Sequence, residues 1–188
     1  METGLDKKRR LVFVLSIPAC ALIVLPVYII LHEAGHTLVA SLCGAAIVDY
    51  NLFDSYMTYR GGSFTPFTAS LLNVAGMLTP VVGAFAFMAF HRKGVSGAFS
   101  RVFSFFVCAL PIFSILAWVV VPIQYMAGTA LSGDDVTQFI YNSGLHPLLV
   151  SLFALLLFAG SMAVMFLSGV IPDFIDGAKD LMREAEGK

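Results

Sequence analysis

LVFVLSIPACALIVLPVYIILHEAGHTLVASLCGAAIV, residues 11–48, contains one formally charged residue, Glu33. An apolar run of this length reads as a helix crossing a membrane. An ionisable group at that depth is costly enough to mark function. Glu33 lies within His32-Glu33-Ala34-Gly35-His36, an HExxH pattern. On a helix, histidines four residues apart stack on one face, so both imidazoles can reach a single zinc ion. Glu33 directly follows the first of them and is placed to act as general base on a metal-activated water. The competing reading makes the two histidines ordinary helix residues. It leaves a buried glutamate between them in need of partners, a need that one zinc ion per chain meets at least cost.

The whole chain has the same character. With 188 residues, 59% hydrophobic and 12% charged, it falls outside the range of soluble domains and reads as an integral membrane protein. A net charge of -1 and a single short basic cluster, Lys7-Lys8-Arg9-Arg10, give no footprint for nucleic acid. That cluster and the apolar run after it have the outline of a signal peptide. The run is too long for one and contains the HExxH pattern, so an uncleaved signal-anchor helix is expected. Cys20, Cys43 and Cys108 lie in apolar stretches without CxxC spacing and read as packing residues.

Four uncharged stretches are long enough to span: residues 11–42, 64–90, 102–126 and 146–171. Pro18 and Pro26 are expected to bend the first. Between the first two, Ile47-Val48-Asp49-Tyr50-Asn51-Leu52-Phe53 and Tyr56-Met57-Thr58-Tyr59 are rich in β-branched and aromatic residues, and Gly61-Gly62 breaks the run. They predict one or two short strands at the outer membrane surface, the other reading being an interfacial loop with its tyrosines at headgroup level. In the second span, Asn73 needs a partner in lipid and serves either as interhelical glue or as a substrate-binding amide. The expected fold is an all-α membrane protein of about four transmembrane helices, with a short β-strand or hairpin segment between the first two and an amphipathic helix at the C-terminus. Residues 1–172 form the membrane-embedded domain and residues 173–188 a cytosolic amphipathic tail.

Basic residues set the direction. With both termini cytoplasmic, ten of the eleven Lys and Arg lie inside, and only Arg60 lies outside. His32 is about twenty-one residues into the first span, which at about 1.5 Å per residue puts it in the outer half of the membrane. A catalytic zinc normally takes three protein ligands, so a third is required. His91, Asp173, Asp176 and Asp180 belong to the cytoplasmic side. Asp49, Asp54, Asp134, Asp135 and His146 remain. Of these, Asp134-Asp135 follow a glycine bend and open a helical stretch. Asp135 is preferred because it places Phe139 and Ile140 one turn on, where they would pack the helix onto the core. Asp134 is then a cap or a supporting group, though it stays an alternative ligand.

These residues together resemble the site-2 protease family of membrane-embedded zinc metalloproteases. In that family an HExxH motif lies in a membrane helix, often with glycine before the second histidine, as Gly35 is here. The resemblance implies a strand-rich segment next, then a helix with an Ala-Gly-Pro-like motif, then an aspartate ligand near the start of a later helical segment. Residues 73–80 look like a diverged form of the second motif, with Met77 after Ala75-Gly76 where proline is usual. For the third, Ile175-Asp176-Gly177 after Pro172 imitates the letters better than Asp134-Asp135 does, which keeps Asp176 as an alternative ligand.

The implied activity is hydrolysis of a peptide bond within or beside the membrane. His32, His36 and Asp135 would hold zinc, Glu33 would be the base, and a membrane protein or peptide would be the substrate. The strand near residues 47–53 would receive the unwound substrate as an added strand. The rivals are a zinc-binding membrane protein without protease activity, either a carrier or an inactive homologue, and an assembly or chaperone subunit in which the site is incidental.

Overall fold

The computed structural model describes residues 4–51, 56–94 and 97–186. The chain forms α1 (Gly4–Leu42), β1 (Ala45–Asn51), β2 (Tyr56–Gly61), α2 (Pro66–Phe90), α3 (Ala98–Met126), α4 (Asp135–Ser143), α5 (Pro147–Leu167) and α6 (Val170–Glu186). Four helices are long and apolar enough to cross a membrane: residues 10–42 of α1, and all of α2, α3 and α5. Their outward faces carry Leu22, Phe90, Phe153, Leu156 and Leu167, each well exposed. Helices that stay apolar on the outside as well as the inside suit a lipid environment.

Local chemistry sets the boundaries. α1 runs unbroken through Pro18 and Pro26 and ends at a turn where Gly44 takes φ +79°. α2 opens on a reciprocal cap between Thr65 and Thr68 with Pro66 in its first turn. α4 opens on Asp134, whose carboxylate accepts from the Val136 and Thr137 amides, and closes on Gly144 at φ +65°. His146 and Pro147 start α5 in the same manner.

α1 lies against α2 and α3, and α5 packs on the other side of α3. α4 is short and amphipathic. It buries Val136 and Ile140 in a core shared with Met77 and Val81 of α2, Ile115 and Trp118 of α3, and Val150 and Ala154 of α5. A second cluster at the far end of the bundle joins Met88, Cys108, Ile112, Met165 and Val170. All three cysteines are free, and Cys20 and Cys108 are buried as packing residues.

The strand pair is an antiparallel hairpin in which Ala45 pairs with Gly61 and Asn51 with Tyr56, with a bulge at Val48. It does not extend away from the end of α1. It doubles back along that helix, where the Tyr50 hydroxyl donates to the Ile30 carbonyl at 3.2 Å, two residues before His32. Leu52, Phe53 and Asp54 lie outside the described residues. The C-terminal helix starts at Val170 after Gly169 (φ +93°), three residues before the expected tail. It is docked onto the bundle. Phe174 stacks on Phe105 at 4.2 Å between ring centroids and meets Phe13 at 5.8 Å.

Candidate metal centre

The spacing on α1 sets His32 and His36 on one face, but closeness to α2 decides what that face meets. Gly35 and Gly76 make the approach possible. A Cβ on Gly35 would strike the Ala75 carbonyl and the Thr79 hydroxyl. Two features of α2 fit this contact. Pro80 has no N–H to offer the Gly76 carbonyl, and the Thr79 hydroxyl donates back to Ala75 O at 2.8 Å. The backbone of α2 therefore lies directly against the histidine face. Leu72 O accepts from His36 Nδ1 at 2.8 Å. A carbonyl can only accept, so the proton is on Nδ1 and the Nε2 lone pair of the neutral ring points into the site.

α4, packed on α2, brings in the third donor. Val136 and Ile140 are anchored in the core, which turns Asp135 toward α1. Its Oδ2 is 3.3 Å from His32 Nε2 and 3.1 Å from His36 Nε2, and the two Nε2 atoms are 3.1 Å apart. A tetrahedral site with bonds of 2.0–2.1 Å has edges of about 3.3 Å. The three donors thus form one face of such a tetrahedron, and His32, His36 and Asp135 are the metal-competent group among the described residues. One oxygen of the Asp135 carboxylate thus faces both imidazole nitrogens.

No family model, curated protein or solved structure matches the chain. The case for a metal therefore rests on the site itself, and Gly76 supplies a test independent of the donors. A Cβ built on Gly76 would collide with His36 Nε2 and lie 2.8 Å from His32 Nε2. The volume that any side chain would fill is the volume that the two histidine nitrogens face. It is kept open by the one residue type that can leave it open. Donor set, spacing and cradle all fit a metal ion.

Glu33 is 3% exposed and lines the same cleft as the three ligands, where it accepts no hydrogen bond from the described residues. The cleft has a volume of about 740 Å³. Tyr56, Met57 and Tyr59 of the hairpin form one wall, Gln138 and Asn142 of α4 another, and Asn73 of α2 lies beside the histidines. The Asn73 amide nitrogen is buried with no hydrogen-bond partner among the described residues.

The other candidates are accounted for by other contacts. Asp134 caps α4 through the Val136 amide at 2.9 Å. Asp49 accepts from the Tyr50 amide on the hairpin. His146 caps α5, accepting from Leu148 N. His91 pairs with Asp173 at 3.1 Å at the far end of the bundle. Asp176 is on the exposed side of α6. Its neighbour Gly177 packs on Phe13, which at about 1.5 Å per residue is about 28 Å along α1 from His32. The Leu72 carbonyl and the cradle at Gly76 are the parts of the site that sequence reading did not find. Gly76 was visible only as part of the diverged Ala-Gly-Pro-like motif, with no sign of what it faces, and a backbone acceptor leaves no trace in side-chain letters.

Proposed function

We propose that the protein is a membrane-embedded zinc metalloprotease that hydrolyses peptide bonds in or next to the membrane, with its termini cytoplasmic and its site in the outer half of the bilayer. The observation that carries the reading is the His32, His36 and Asp135 triad at 3.1–3.3 Å, with Glu33 lining the same cleft. Two histidines and one carboxylate leave a fourth position open, as catalytic zinc sites do. Zinc held there would acidify water and polarise the scissile carbonyl.

The chain's own residues do the rest. Leu72 O holds His36 in the tautomer that ligates, and Gly76 keeps the cradle clear. Glu33 accepts the proton of the attacking water as the new C–O bond forms, and returns it to the amide nitrogen as the C–N bond breaks. Glu33 is buried in the same cleft as the three ligands, within reach of a water bound there. The hairpin lies alongside the site, where an unwound substrate segment can add to it as a further strand.

The test is zinc content per chain, followed by cleavage. Purified wild type should hold about one zinc, lost in His36→Ala and Asp135→Ala and retained in Asp134→Ala, Asp176→Ala and Glu33→Gln. Only the retained-zinc variants with Glu33 intact should cut a transmembrane peptide. Zinc held by a wild type that cleaves nothing would make the chain a zinc-binding membrane protein instead.

A further inference from the structure

A second cavity of about 440 Å³ opens between α2 and α4 next to the metal cleft. The two share a wall, since Asn142 lines both. The helices that present Asp135, Gln138 and Asn73 to the metal side present Phe139, Phe67, Leu71 and Val74 to this second cavity, with Leu145 closing it. It offers hydrocarbon and almost nothing polar. The Ser70 hydroxyl is engaged by Pro66 O at 2.7 Å, and the Ser143 hydroxyl accepts from Leu145 N at 3.2 Å. The Asn142 side-chain amide has no hydrogen-bond partner among the described residues.

We infer that this cavity is a specificity subsite that takes one large apolar side chain of a peptide substrate, leucine or phenylalanine in size, while the Asn142 amide binds the peptide backbone at the junction with the metal cleft. The inference rests on the protease reading for its occupant. The geometry favours a peptide because a chain passing from the cleft into the cavity must cross a free amide, which matches a backbone N–H and C=O and has nothing to offer an alkane. A small or charged side chain would leave the apolar lining unfilled or would itself be desolvated without a partner. Selection at this point would make the enzyme read the residue beside the scissile bond.

The chain has one tryptophan, and it reports on this place. Trp118 packs edge-on against Phe139 at 5.2 Å, and Phe139 lines the cavity. The experiment uses reconstituted, zinc-loaded Glu33→Gln protein, titrated with transmembrane peptides that are identical except for Leu, Phe, Ala or Asp beside the cleavage position. Binding is read by Trp118 fluorescence and cleavage is followed in parallel with Glu33 intact. The Leu and Phe peptides should bind about tenfold or more tighter than Ala. Val74→Phe, which fills the cavity, should abolish that preference while zinc is retained. Leu71→Arg, at a position already 38% exposed, should shift preference toward Asp and serves if Val74→Phe does not fold.

Equal affinities across the series, as expected if a lipid chain occupies the groove, overturn the subsite, and so does a preference that survives both variants. Side-chain-dependent binding without any cleavage by the Glu33 protein would sink the protease reading and leave the subsite standing.

Discussion

Gly76 is the residue on which the site can be tested most sharply. Gly76→Ala adds one methyl group where the histidine nitrogens converge, so metal content should fall to near zero. Alanine is a better helix former than glycine by about 1 kcal/mol, so α2 itself should not melt. Undiminished zinc in that variant would show that the cradle is not where the ion sits. Asp134 and Asp135 provide a paired test. Asp134→Ala removes the cap of α4 and should cost about 1 kcal/mol in thermal stability with zinc retained. Asp135→Asn should lose zinc with little change in the cap. Both histidines and the glutamate were legible as letters because their relation is a helical repeat within one segment. Asp134 and Asp135 were legible as a pair, with Asp135 preferred because it places Phe139 and Ile140 one turn on, and in the structure Asp134 caps α4 while Asp135 faces the histidines.

At the scale of elements, the hairpin carries the next prediction. Proline at Asp49 or Tyr50 breaks β1 beside the metal cleft, removing a ladder donor. Cleavage should drop with zinc unchanged, and unaltered turnover would refute strand addition as the mode of substrate binding. β-branched and aromatic residues identified the strands correctly. Their direction was not legible, since the fold-back along α1 depends on Tyr50 reaching a carbonyl twenty residues earlier. α4 shows the converse. Its opening acidic pair after a glycine bend and Phe139 and Ile140 one turn on are local signals, and they predicted a helix that packs inward.

Across the whole molecule, the metal centre and the docking of α6 are at opposite ends, which makes them separable. Asp173 accepts from His91 and from the Gly94 amide at 3.0 Å, tying α2 to α6. Asp173→Ala leaves those groups without an acceptor and should destabilise the protein by about 1–3 kcal/mol, read as a fall in Tm in detergent. Zinc content at permissive temperature should stay at the wild-type value. Loss of metal in this variant would mean that the two ends are coupled through α2.

The sequence by itself determined the properties that depend on neighbours along the chain. Hydropathy over about twenty residues marked the four membrane-length helices, and a four-residue spacing put two imidazoles and a carboxylate on one helix. Proline, glycine and small polar residues marked most of the ends. Only the tertiary structure brings Asp135, and not Asp176, up to the two histidines, because which carboxylate about a hundred residues away meets them is set by which helix end the core holds against α1. It also decided that Gly76 is the floor of the site and that Leu72 O orients His36. Contact between packed helices has no period along the chain, so distances of a few ångströms between them come from the fold alone.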